Sequence, residues 1–146
     1  MHTTKTLVPL AAAAVLAAGC GGDGEAAPAT AAEAPARPAQ VLELTALPSR
    51  GPDNPFAYDK TRLEAKAGRI LLRLRNTDWK DHNIRVQTGR RCCFRADAKD
   101  LGGTDWARGD GGTAEAVVDL PPGRYWFLCS PTNHWGEGMK GRLVVR

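Results

Sequence analysis

Tyr125-Trp-Phe-Leu-Cys129-Ser-Pro-Thr-Asn-His134-Trp-Gly-Glu-Gly-Met139-Lys-Gly141 is the stretch around which the rest of the chain is read. A strand-like run from Arg124 ends in Cys129, the segment after it returns a histidine and then a methionine, and a second strand-like run, Arg142-Leu-Val-Val-Arg146, follows. Four residues separate Cys129 from His134, and four more separate His134 from Met139. Thiolate, imidazole and thioether on one short loop suit copper. Soft sulfur donors hold the reduced ion and nitrogen donors the oxidised one, and a trigonal His2Cys set with a weak axial Met supplies both. The loop brings three of those four donors, so a second histidine must arrive from elsewhere.

The chain holds three histidines. His2 falls in a leader and His134 is in the loop, which leaves His82 in Trp79-Lys-Asp-His82-Asn83-Ile-Arg-Val86. The predicted set is therefore His82, Cys129, His134 and Met139. Taken singly each has a plainer role: a satisfied polar histidine, a cysteine in a disulfide, a methionine filling a core. Working outward, the flanking segments read as strands. Ile70, Leu72 and Leu74 alternate with Arg73 and Arg75, the two-residue period of a half-buried strand. Val41–Ala46, Leu63–Gly68, Asn83–Gln87 and Ala114–Leu120 are further candidates, and Phe56-Ala-Tyr58 is a short strand or bend. Tyr125, Phe127 and Cys129 share one face by parity. Residues 88–112, with Cys92-Cys93 and several glycines, read as a long loop with one helical turn near Ala96–Leu101. Many short strands with Gly and Pro turns predict an all-β sandwich or barrel.

Several segments agree in order and distance with one family. Phe56-Ala-Tyr58, Ala67-Gly68 before a strand ending at Asn76, His82-Asn83, Leu120-Pro-Pro-Gly123-Arg-Tyr125 and the cysteine loop together resemble the cupredoxins, the blue copper proteins of plastocyanin and azurin type, over roughly residues 41 to 146. The resemblance implies a Greek-key β-sandwich holding one type 1 copper. It implies that Asn83 hydrogen-bonds to the backbone near Ser130, and that His134 is where electrons enter and leave, with Pro131, Trp135 and Gly136 as an apolar docking patch; Trp135 either docks a partner or simply covers the copper. Pro131 also stiffens the loop and removes a donor near the sulfur.

The chain has 146 residues, and its first part does not read as a domain. After Lys5 comes an apolar run from Leu7 to Ala18, too short to span a membrane and patterned as a secretory signal. Ala17-Ala-Gly-Cys20 resembles the lipobox of bacterial lipoproteins, with alanine where leucine is commoner. The expected organisation is a signal peptide over 1–19, a lipidated Cys20 with an Ala- and Pro-rich tether over 20–40, and the cupredoxin domain over 41–146. A tether without large apolar side chains cannot bury enough surface to fold. From Val41 onward 18 Lys and Arg face 13 Asp and Glu, the cations scattered except for Arg90-Arg91 with Arg95 nearby, an excess that favours an acidic protein partner or simply solvates the surface. Export and the lack of basic stretches interleaved with aromatics argue against nucleic acid.

Cys92 and Cys93 fit no family position. Adjacent α-carbons are about 3.8 Å apart, below the usual disulfide range. A vicinal disulfide, a bond to another chain, two free thiols and an accessory copper pair all stay open. The functional expectation is a lipid-anchored monomer outside the cytoplasm, in the periplasm or at the cell surface, that relays single electrons between redox proteins and is not an enzyme. The alternative is copper storage, delivery or sensing.

Overall fold

In a computed structural model that describes residues 38, 40–49, 51, 53 and 55–146, the elements run β1 (Gln40–Leu47), β2 (Ala57–Tyr58), β3 (Arg62–Ala65), β4 (Gly68–Asn76), β5 (Arg85–Gln87), β6 (Asp100–Gly103), β7 (Thr113–Leu120), β8 (Gly123–Leu128), α1 (Thr132–Glu137) and β9 (Lys140–Val145). The expected signal segment, Cys20 and most of the tether lie outside the described residues.

The alternation that predicted β4 is what builds the core. Ile70, Leu72 and Leu74 are buried, while Arg73 and Arg75 point away from them. β4 lies in a four-stranded sheet of order β2-β1-β4-β7, parallel to β1 and antiparallel to β7. The second sheet has five strands in the order β3-β9-β8-β5-β6, with β3 and β9 parallel and the other pairs antiparallel. Leu44, Ile70, Leu72, Leu74, Val118 and Leu120 from the first sheet meet Val86, Tyr125, Phe127, Leu143 and Val145 from the second in one apolar cluster. Each large aliphatic or Phe side chain buried this way contributes roughly 1.5–3 kcal/mol. The protein is an all-β sandwich, as the strand pattern implied.

Two local expectations are corrected. In place of a helical turn over Ala96–Leu101 there is a single tight turn, closed by the Ala98 N–H donating to the Arg95 carbonyl (2.9 Å), after which the chain enters β6, which pairs with the edge of β5 at Arg85↔Gly103 and Gln87↔Asp100. Gly102 and Gly103, read as loop formers, sit at positive φ beside the irregular step in that pairing, and a Cβ on Gly103 would lie 1.9 Å from the Ile84 carbonyl oxygen. Glycine there permits close backbone approach rather than ending the strand. The second correction lies in the cysteine loop, which contains α1.

Candidate metal centre

The four predicted residues come from different local settings at one end of the sandwich. Cys129 directly follows β8, and its N–H donates to the Met139 carbonyl (3.1 Å), while the Met139 N–H donates to the His134 carbonyl (2.9 Å). His134 lies in α1, whose first turn is closed by its own N–H donating to the Pro131 carbonyl (3.0 Å). The loop is thus tied back on itself at each of its three donor residues. β5 and β8 pair antiparallel with Arg85 opposite Leu128, which brings the segment before β5 alongside Cys129.

His82 lies in that segment, although not at the entrance of a strand running from Asn83, because β5 begins only at Arg85. It is held by an isolated antiparallel bridge to Ala107, each residue's N–H donating to the other's carbonyl at 3.0 and 2.7 Å. Buried Asn76 at the end of β4 supports the bridge, its Nδ2 lying 2.6 Å from the Lys80 carbonyl and 3.0 Å from that of Ala107.

The donor atoms converge. Cys129 Sγ is 3.6 Å from His82 Nδ1 and 3.4 Å from His134 Nδ1, and the three donor atoms lie within 4.8 Å of one another. Met139 is fully buried in the same apolar cluster as Cys129. Phe56 covers the two imidazoles, with ring centroids 4.1 Å from His134 and 5.6 Å from His82. His134 is only 5% exposed, so the edge it offers to solvent is small.

Burial sets the protonation of these groups. It pushes the Cys129 thiol up to about 11, against backbone hydrogen bonds from Asn83 and Ser130 and the Tyr58 hydroxyl, which pull it down. Such a sulfur keeps its proton at neutral pH unless a cation takes the proton's place. Burial, reinforced by the charges of His82 and Lys80, lowers His134 to about 4, so its imidazole is neutral and has a free lone pair. A neutral His134 imidazole, a second imidazole from His82, a thiol that ionises only for a cation, and a buried thioether fit a copper ion with both soft and nitrogen donors.

Asn83 and Ser130 are joined by hydrogen bonds. The Ser130 N–H donates to Asn83 Oδ1 (2.9 Å), and Asn83 Nδ2 donates to Ser130 Oγ (2.6 Å). Asn83 therefore bonds the His82 segment to the residue after Cys129. The Tyr58 hydroxyl donates to the Asn83 carbonyl from beneath.

Asp78 is a site residue that the sequence reading missed. It is buried, and its Oδ2 lies 2.8 Å from His82 Nε2, so the imidazole's outer nitrogen is held by a carboxylate while Nδ1 faces the sulfur. Burial raises the Asp78 carboxyl, but hydrogen bonds from His82, Ser49 and Trp79 outweigh that and hold it below the usual carboxylate value. Its spacing four residues before His82 was the available signal, yet the spacing means little until the Asn76–Ala107 contacts fold the segment back.

Pro131 and Trp135, the expected docking residues, are half-buried beside His134. The Trp135 ring lies against Phe94, with centroids 6.4 Å apart. Cys92 and Cys93 are joined to each other, which leaves Cys129 as the free cysteine among the described residues.

A two-sheet β-sandwich that gathers two histidines, a cysteine and a methionine at one end is a cupredoxin, and its residues fit a single type 1 copper. The chain belongs to the plastocyanin/azurin family: the model described as "Copper binding proteins, plastocyanin/azurin family" matches residues 46–146. Among solved structures it is similar to the dithionite-reduced auracyanin of Roseiflexus castenholzii, with 23% identity and a TM-score of 0.58, covering 73% of this chain and 96% of that one. It is also similar to auracyanin A of Chloroflexus aurantiacus, described as a "blue" copper protein, with 21% identity and a TM-score of 0.58 over 73% of this chain and 98% of that one. Rusticyanin from Thiobacillus ferrooxidans matches at 18% identity and a TM-score of 0.54, over 73% of this chain and 77% of that one. At these identities the likeness is one of fold. A search of curated proteins finds no match.

Proposed function

We propose that this protein is a lipid-anchored electron carrier working outside the cytoplasm, with His82, Cys129, His134 and Met139 holding one copper. The observation that carries the reading is the buried convergence of His82 Nδ1, His134 Nδ1 and Cys129 Sγ within 4.8 Å, on backbone tied by Asn83–Ser130 and His82–Ala107 bonds. Copper supplies a one-electron couple, Cu(II)/Cu(I). The protein's part is to keep its donors still, since any ligand movement between the two states slows transfer. His82 is braced from behind by Asp78 and from the side by Ala107, and the Cys129 loop by its own carbonyls. Phe56 and the surrounding core keep water from the donors. His134, with Pro131 and Trp135 beside it, is the electron port. The role requires no substrate pocket and no acid–base pair, so the protein is a carrier and not an enzyme. Its redox partners would meet it as a monomer, at the end of an Ala- and Pro-rich tether from Cys20; the leader and lipobox residues support that anchoring.

The test is repeated redox cycling of the copper-loaded protein with an excess of copper chelator present. A blue colour that a mild reductant bleaches and an oxidant restores, with copper retained through the cycles, supports the carrier. Rapid loss of the metal to the chelator in either state overturns it in favour of copper storage, delivery or sensing.

A further inference from the structure

The arginines fall into two groups by whether a carboxylate meets them. Arg73, Arg85, Arg108 and Arg146 each pair with a carboxylate. Arg90, Arg91, Arg95, Arg124 and Arg142 are exposed and form no ion pair with any described residue.

The fold gathers these five. Tyr125, Phe127 and Leu143 face the core, so Arg124 and Trp126 on β8 and Arg142 on β9 face outward. Trp126 and Arg142 are opposite each other in the ladder, and the guanidinium lies 3.4 Å from the indole centroid. The segment from Thr88 to Lys99 folds over this face, closed at its base by the Thr88 N–H donating to the Lys99 carbonyl (2.9 Å). Arg142 Nη2 reaches the Arg90 carbonyl at 3.4 Å. Two shallow depressions result, one lined by Arg90, Arg91, Arg95 and Asp97, the other by Gly89, Arg90, Asp97, Arg124 and Arg142. Asp97 is the only acid in either lining. The same segment presents Phe94, half exposed, against Trp135, the neighbour of His134.

We propose that this arginine face, with Phe94 and Trp135 at its edge, is the surface on which an acidic redox protein docks. The inference rests on the electron-carrier reading and adds where and by what charge the partner is held. Guanidiniums with no carboxylate partner among the described residues, spread over an open surface, match an array of carboxylates on another protein and steer its approach. The Phe94–Trp135 contact places the apolar edge of that surface next to the ligand His134, which a partner must approach to exchange an electron.

The experiment follows, by stopped flow, the reduction of the copper(II) protein by a reduced c-type cytochrome of net negative charge. One electron leaves the haem iron, Fe(II) becoming Fe(III), and Cu(II) becomes Cu(I). Wild type is compared with Arg91→Gln/Arg95→Gln and with a charge-matched control, Lys66→Gln/Arg75→Gln, whose residues lie in the β3–β4 connection and on β4 and line neither depression. The first pair slows the reaction by roughly tenfold at low ionic strength and little at high salt, while the control stays within about twofold. Equal slowing in both pairs, or none in either, overturns the proposal. Vesicles of phosphatidylglycerol are a third arm. If the Arg91/Arg95 variant loses vesicle binding but keeps its rate with the cytochrome, the face serves a lipid surface and the proposal is wrong. Hydroquinone, a neutral reductant, must bleach all three proteins at similar rates; failure in wild type would count against the carrier reading itself.

Discussion

Asp78→Asn keeps the shape of the side chain and removes its charge, which isolates what the carboxylate does for His82. Oδ1 accepts the N–H groups of Trp79 (2.9 Å) and Ser49 (3.1 Å), so an oxygen is required on that side. In the variant the amide nitrogen then takes the place of Oδ2, 2.8 Å from His82 Nε2. A donor faces a donor, and the imidazole must shift its proton to Nδ1, the atom that faces Cys129 Sγ at 3.6 Å and is needed for the metal. Loss of a partner that orients a ligating histidine typically weakens metal binding by about ten- to a hundredfold, or roughly 1.4–2.7 kcal/mol. Competition titration of copper(II) against a chelator, read by the blue colour, measures this directly, and thermal unfolding of each protein separates it from a general loss of fold. A folded Asp78→Asn protein that binds copper within about twofold of wild type, with an unchanged spectrum, would refute the positioning role.

The remaining expectations concern the rest of the cage. Asn83→Ala removes the acceptor of the Ser130 N–H and leaves that donor without its partner, which should destabilise the metal-free protein by about 1–3 kcal/mol in denaturant unfolding; a change under about 0.5 kcal/mol contradicts it. Replacing Cys92 and Cys93 together with Ser should leave the blue colour in place, because neither belongs to the converging set; a colourless double variant would show that the ligand assignment is incomplete. Burial holds His134 at about 4 against an ordinary 6.5, so between those values the unfolded chain takes up a proton that the folded one does not. Stability of the metal-free protein should therefore fall as pH drops from 6.5 toward 4, and His134→Ala should flatten that slope; an identical slope in the variant sinks the argument.

What could be read in advance depended on whether a signal was local. The alternation of Ile70, Leu72 and Leu74 and the parity of Tyr125, Phe127 and Cys129 are consequences of strand geometry, and both are buried as expected. His82 was found by elimination among three histidines, yet its support by a bridge to Ala107 depends on pairing across 25 residues that no local pattern carries. α1 was hidden because six residues that include Gly136 show no helical period, and they are held by the closing bonds to Pro131 and Met139 rather than by propensity. β6 was hidden because Gly102-Gly103 read as a breaker, although glycine is what the close approach to Ile84 demands. Asp78 is unremarkable along the chain and becomes a site only when the Asn76 contacts fold its segment back. The arginine face was legible only in its local half, Arg90, Arg91 and Arg95; Arg124 and Arg142 join it through the β8–β9 register.

The most direct test of the central claim, that four named side chains hold one copper, is a copper(II) titration of the reduced-thiol, metal-free protein followed by its visible colour, with Cys129→Ser in parallel. The account predicts a blue colour that saturates at one equivalent in wild type and does not form in the variant. A colourless wild type, saturation at two equivalents, or a variant as blue as wild type would contradict it.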